Sequence, residues 1–131
     1  MKKVDIKTNS RVDFVDITQE IKDIILSAGV KEGVVTLFVP HTTAAITVNE
    51  GADPSVVEDI KFVLEKVAPR GDSSYKHKEG NSDAHIKASL LGVTQQILIS
   101  EGKLLLGTWQ SIFFAEFDGP RQRQLYCYPS S

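Results

Sequence analysis

An α+β fold is what this sequence predicts, and three observations predict it. Runs of β-branched, aromatic and alternating apolar residues mark eight strands. Three stretches carry apolar residues at helical spacing between start and stop signals. The helical stretches fall among groups of strands without regular βαβ alternation. The predicted order is ββαββααββββ. With no internal repeat, low-complexity tract or linker, residues 1–131 read as one domain.

Each element has its own signal. Val4 to Lys7 and Arg11 to Asp16 alternate apolar and polar residues, with turn chemistry at Asn9-Ser10, so a hairpin is predicted. Thr18 caps a helix whose stripe is Ile21, Ile24, Ile25 and Ala28, and Gly29 closes it. Val34 to Val39 is a buried strand stopped by Pro40. His41-Thr42-Thr43 forms a short connection to the strand Ala44–Val48, which Asn49-Glu50-Gly51 ends. Asp53 caps the longest helix, with Pro54 at its first position and a stripe of Val57, Ile60, Val63, Leu64 and Val67 before Pro69. Arg70 to Ser74 is a polar surface loop beside the candidate site. Its Arg-Gly-Asp triplet reads poorly as an adhesion motif without an export signal. A short helix follows, with Ile86, Leu90 and Leu91 before Gly92. Gln95–Ser100 and Lys103–Leu106 pair through Glu101-Gly102. Ser111–Phe117 and Gln122–Tyr128 flank the turn Asp118-Gly119-Pro120-Arg121.

Composition narrows the function. A chain of 131 residues buries roughly two-thirds of its unfolded surface, enough for a core. A net charge of −2 lacks the basic footprint of a nucleic-acid binder, and no basic face suits a membrane surface. No run approaches the roughly 20 apolar residues of a membrane span, and no apolar run follows the N-terminal lysines as in a secretory signal. The single cysteine, Cys127, lies in a strand-like run and reads as a buried, inert thiol. A cytoplasmic location is the resulting expectation.

The chemistry concentrates in His77-Lys78-Glu79-Gly80-Asn81-Ser82-Asp83-Ala84-His85, a loop running into a helix start. Free N–H groups there offer a seat for phosphate, with Gly80, Asn81 and Ser82 as the cradle; the other reading of Asn81-Ser82 is a plain helix cap. His41, His77 and His85 are the only histidines. They fit either a three-imidazole site for a divalent metal, zinc or magnesium, or a general acid–base role, or ordinary hydrogen-bonded surface positions. Candidate catalytic groups are His85, Asp83, Glu50 and Asn81, while Glu79 is a further candidate ligand. Arg121 and Arg123, placed on one face by the strand period, read as an anion clamp or as charges guarding an edge strand. Thr42 and Thr43 add hydroxyls. Trp109 and Gln110 offer an aromatic face and an amide to a heterocycle, or a Trp to the core.

Taken together, four segments resemble the YjbQ-like family over nearly the whole chain. They are His41-Thr42-Thr43-Ala44-Ala45-Ile46 with Asn49-Glu50, His77-x-x-Gly80-Asn81-x-Asp83-Ala84-His85, Gly107-x-Trp109-Gln110, and Glu116-x-Asp118-Gly119-Pro120-Arg121-x-Arg123. The resemblance implies a mixed-sheet, half-barrel sandwich assembled as a homotrimer. It implies a polar site of His41, His77, His85, Asn81, Asp83 and the Arg121/Arg123 turn near a subunit boundary. It also implies a weak thiamine-phosphate synthase activity on phosphorylated small molecules.

Overall fold

A computed structural model describes residues 1–131. Its elements are β1 (Lys2–Lys7), β2 (Asp13–Asp16), α1 (Thr18–Ala28), β3 (Gly33–Phe38), β4 (Ala44–Glu50), α2 (Pro54–Val67), α3 (Ser82–Leu91), β5 (Thr94–Ser100), β6 (Lys103–Leu104), β7 (Gln110–Glu116) and β8 (Gln122–Ser130). The α+β class and the predicted order both hold. The strands form two sheets, β1-β8-β3-β5-β6 and β2-β7-β4, and every pairing is antiparallel. No helix is long and apolar enough to cross a membrane.

The main core lies between the two sheets. Alternation sends Val35 and Leu37 of β3, Ile97 and Ile99 of β5, and Leu125 and Cys127 of β8 inward. They meet Ile46 of β4, Ile112 and Phe114 of β7, and Ile21 and Ile25 of α1. Fully burying each such aliphatic side chain stabilises the fold by about 1.5–3 kcal/mol. Cys127 is buried as expected, and burial pushes its thiol up to about 11. A smaller cluster covers the other face of the second sheet. There Ala45 and Ala115 of the sheet meet Ala84 and Ala88 of α3, with Phe117 beside them. Four methyl-sized side chains allow α3 to lie close on the sheet, which fixes where its first turn points.

Three expectations from local pattern are corrected by long-range pairing. β1 and β2 do not form a hairpin. β1 pairs with β8 and β2 with β7, in different sheets. The physical reason lies at Thr8, whose hydroxyl accepts from Arg121 N at 2.8 Å and donates to Glu116, tying the end of β1 to the β7–β8 turn. The α2 stripe packs only in part inside this chain: Leu64 lies half-buried against the smaller cluster, but α2 has no fully buried residue, and Val63 and Val67 of the stripe, with Phe62 beside them, are more than half exposed. α3 turns two members of its predicted stripe outward, while Leu91 packs half-buried against the smaller cluster. Ile86 and Leu90 are exposed, while Asp83, Ala84, Lys87 and Ala88 face in. Charge pairing, described below, allows that reversal.

Candidate functional site

α3 begins without a side-chain cap. Asn81 holds the capping position, where an amide oxygen ordinarily accepts from the first helical N–H groups. Here the side chain is drawn away, and Nδ2 donates to Asp118 Oδ2 at 2.9 Å. A carboxylate only accepts, so the nitrogen must face it, and Oδ1 is left buried without a donor. The backbone N–H groups of Ser82 and Asp83 find no acceptor within the chain. The first helical bonds are those of Ala84 and His85 to Asn81 O, at 3.0 and 3.3 Å. The helix start therefore keeps two free donors and the partial positive charge of the macrodipole. Gly80, at φ +77°, makes the sharp entry.

His77 and His85 come together beside this start. Their rings stand edge to face with centroids 5.2 Å apart, and Glu79 Oε2 lies 3.8 Å from His77 Nε2. An open cleft of about 430 Å³ runs along them, walled by Ser74, Tyr75 and Lys76 from the preceding loop and by Ser82. His85 also lines a second cleft of about 490 Å³, together with His41, Thr42 and Ser89.

His41 has a different role from the other two. Its Nε2 accepts from Gln124 N–H at 2.9 Å, prolonging the ladder of β8 beyond the end of β3. That nitrogen's lone pair is engaged, so the ring proton sits on Nδ1. Burial pushes the His41 imidazole down, and the Arg123 charge acts in the same direction. The three-imidazole metal site is thus not assembled in this chain, nor does any group of three or more His, Cys, Asp or Glu gather as ligands.

Two ionic networks, the first partly exposed at Arg11 and Glu65, hold the site's framework. Arg11 grips Asp83 through two bonds of 3.0 and 3.1 Å, and Lys87 reaches Asp83 at 3.2 Å and Glu65 at 2.6 Å. Burial alone would raise the Asp83 carboxyl; the hydrogen bonds from Arg11 and Lys87 outweigh it and hold the group below its ordinary value. In the second network Glu116 is fully buried. It accepts from Arg123 Nε at 2.8 Å and Nη2, from Thr8 Oγ1 at 2.9 Å and from Asp118 N at 3.0 Å. Arg123 Nη2 also donates to Thr43 Oγ1 at 2.7 Å. Asp118 joins the networks to the helix start: Arg121 Nη2 lies 3.3 Å from the oxygen that Asn81 uses.

The turn carrying Asp118 and Arg121 leaves no room at Gly119. An added Cβ would collide with Ser10 O and lie 2.9 Å from Thr8 Oγ1. Gly119→Ala is expected to cost about 2–3 kcal/mol, because backbone must move. Urea denaturation measures it. A loss below 0.5 kcal/mol, on the order of an ordinary surface substitution, would show the turn to be pliant.

The family model described as UPF0047 protein YjbQ-like matches residues 2–129. The chain belongs to the YjbQ-like UPF0047 family. A UPF0047 protein of Methanocaldococcus jannaschii is 56% identical over 124 residues, covering 95% of this chain and 89% of that protein. The crystal structure of an uncharacterised YjbQ/UPF0047 protein from Clostridium acetobutylicum superposes with a TM-score of 0.96 at 51% identity, covering 99% of this chain and 100% of that one. A YjbQ-like protein of unknown function from Sulfolobus solfataricus superposes at 0.93 with 35% identity, covering 98% and 94%.

The motifs by which the chain resembles its family are divided by the fold. His41, Thr42, His77, Gly80, Asn81, Ser82, His85 and Arg121 lie around the start of α3 and its two clefts. Glu50 and Gln110 are paired at the other end of β4, about 20 Å along the strand, with Trp109 beside them. Within one chain Glu50 therefore does not reach the histidines; it lines a separate pocket with Asp16, Asp53 and Glu58. Trp109 is not a core residue but 65% exposed.

Two further expectations are corrected. Asp83 has both carboxylate oxygens engaged and only 1% side-chain exposure, so it supports the helix and presents no free edge to a substrate. Arg121 and Arg123 do not form a clamp. Arg121 precedes β8, where the strand period does not apply, and its side chain is 53% exposed; Arg123 points inward with Leu125. Thr43 is likewise buried against Arg123, so its hydroxyl is structural. Sequence reasoning missed Arg11 and Lys87. The spacing of Asp83 and Lys87, one helical turn apart beside Ala84 and Ala88, was the available signal.

Proposed function

We propose that the protein is an enzyme acting on a phosphorylated small molecule, whose phosphate docks at the start of α3. The carrying observation is the diversion of Asn81 to Asp118, which frees the N–H groups of Ser82 and Asp83. Free N–H groups at a helix start suit an anion. Lys76, in the adjoining cleft, and Arg121, which shares an Asp118 oxygen with Asn81, add positive charge. The buried Asn81 Oδ1 awaits a donor, as a protonated phosphate oxygen or an ordered water would provide.

Thiamine-phosphate synthesis is the named activity in this reading. Hydroxymethylpyrimidine diphosphate loses pyrophosphate as its C–O bond breaks, and a C–N bond forms to the thiazole phosphate. Its main demand is stabilisation of charge on the departing diphosphate, which the helix start and Arg121 meet. Pyrophosphate release that needs both precursors, and that His85→Ala lacks, supports it. Phosphate release from one simple ester would favour a metal-dependent phosphoesterase, and anion binding without turnover a non-catalytic binder. A divalent cation is part of this proposal in reduced form. His77 and His85 supply two imidazoles, which suit zinc better than magnesium, and further ligands must come from substrate, water or another chain. Dialysis against a chelator tests the requirement. A cytoplasmic location belongs to the same reading.

A homotrimer completes it. Two distinct apolar faces of the chain lack partners: the outward side of α2 with Phe62, Val63 and Val67, and Phe38, Leu98 and Tyr128 on the outer side of the five-stranded sheet. Unlike faces suit head-to-tail contacts that close into a ring. Val63→Glu is expected to convert a species of three chain masses into monomer, measured by sedimentation. Wild-type protein sedimenting as a monomer would rule the assembly out.

A further inference from the structure

The segment between α2 and α3 is fastened at its ends and hardly at all in between. Residues 71–80 belong to no helix or strand, and nine of the ten are exposed, with Tyr75 half-buried. Their hydrogen bonds stay local. Ser74 N–H and Tyr75 N–H donate to Asp72, and Tyr75 Oη donates to Pro69 O at 2.8 Å. The ends are held firmly. Arg70 N–H donates to Glu65 Oε1 at 2.9 Å, and the other oxygen of that carboxylate holds Lys87 of α3. At the far end Asn81 is held by Asp118. A stretch with so little buried surface and no hydrogen bond to the body opens at low free-energy cost while its surroundings stay folded.

Gly71 and Gly80 stand at the two ends of this stretch, at φ +79° and +77°. A Cβ added at either would meet nothing within 4 Å, so neither glycine is there to make room. What each supplies is backbone range, as a hinge needs. One contact spans each hinge. The hydrogen bond from Tyr75 to Pro69 bridges Gly71, and the edge-to-face pair of His77 and His85 bridges Gly80. A swing about both glycines breaks these two contacts and leaves the turn at Asp72 intact, so the stretch can move as one piece.

We infer that residues 71–80 form a hinged strap, closed in this structure, which swings on Gly71 and Gly80 and is latched by Tyr75 and His77. Closed, it lays Lys76 and His77 along the cleft at the start of α3. Open, it takes both side chains away and widens the way in. The strap rests on the proposed phosphate seat only for what it closes upon: an anion held there attracts Lys76 and so favours the closed form.

Spin-label distances on the full chain test the strap. Cys127 is buried and its thiol is pushed up to about 11, so labels attach at the exposed positions of Ser73→Cys and Leu90→Cys. Diluting labelled chains with unlabelled ones keeps each measured pair within one chain. Two distance populations are expected. Tyr75→Phe should raise the ratio of long to short about two- to tenfold, the size of one neutral hydrogen bond. Tyr128→Phe, on the outer side of the sheet, should leave it unchanged. Inorganic phosphate should lower it. Trypsin on unlabelled protein gives a second reading: cleavage at Arg70, Lys76 or Lys78 should quicken in Tyr75→Phe by the same factor, since it tracks the open population. A single short distance that persists in the double variant Tyr75→Phe, His77→Ala overturns the strap. A ratio that Tyr75→Phe moves and phosphate does not, with calorimetry showing phosphate bound, overturns closure on the anion. The same ratio with no phosphate bound overturns the phosphate seat and leaves the hinged strap standing.

Discussion

Arg123→Met is expected to lower the free energy of unfolding by about 3–5 kcal/mol, the usual cost of removing one partner from a buried ion pair. Met keeps the apolar stem and deletes the guanidinium. Glu116, with no solvent exposure, then keeps only Thr8 Oγ1 and Asp118 N as donors. Thr43 Oγ1 loses its partner too. Urea denaturation at one fixed protein concentration measures the loss, since any oligomer makes stability concentration-dependent. Adding Glu116→Gln to the same chain should recover part of it, because the stranded charge disappears. A single-variant loss under about 1 kcal/mol would mean that water reaches Glu116 and screens it.

The same variant should reverse the dependence of stability on pH. Burial alone would push the Glu116 carboxyl up. In the native protein the bonds from Arg123, Asp118 N and Thr8 outweigh burial and hold it below its ordinary 4.5. The unfolded chain thus binds this proton more readily. Glu116's stabilisation is complete above 4.5 and is lost as pH falls through the lower folded value. Asp83 and Asp118, both held below 3.8, add to the loss in the same direction at lower pH. Without Arg123, burial dominates and the carboxyl rises above its unfolded value. Stability should then fall as pH climbs from about 5 to 7, where wild-type stability is flat with respect to this group.

The elements of this fold were legible in the sequence because each depends on local periodicity. Asp53 and Pro54 set the start of α2, and Glu101-Gly102 joins β5 to β6, as local rules require. Partners were not legible. The short connection from Thr8 to Val12 looks like a hairpin turn, yet Thr8 serves the β7–β8 turn, more than a hundred residues away. Periodicity also cannot tell which object an apolar stripe faces. That is why Val63 and Val67 of the α2 stripe are exposed while Leu64 packs against the smaller cluster. The site followed the same division. The helix start at Ser82 was readable from composition and spacing. The nearness of His77 to His85 was not, since an eight-residue spacing places nothing until the loop folds back. Arg123 was misassigned because an arginine beside a turn looks exposed. Only the inward Glu116 seven residues earlier explains its burial.

His85→Ala is expected to reduce turnover in the precursor-dependent assay by about 10²–10⁴-fold, the range for loss of a positioned proton donor. Three features make this side chain the choice over its neighbours. It is the only residue on the walls of both clefts. It sits one turn into α3, on a helix locked by Asp83 and Lys87. Neither of its ring nitrogens is committed to a hydrogen bond within the chain, whereas His41 Nε2 is. An imidazole so placed can protonate a departing phosphate oxygen as the C–O bond opens. The effect should therefore fall on kcat with KM changed little, since the proposed phosphate seat consists of backbone N–H groups that the substitution leaves in place. His85→Gln should be as slow as His85→Ala, because an amide keeps a hydrogen bond but does not donate its proton. If both variants raise KM at unchanged kcat, His85 only binds. If His85→Gln alone keeps full turnover, the ring serves as a hydrogen-bonding spacer, and proton transfer belongs elsewhere.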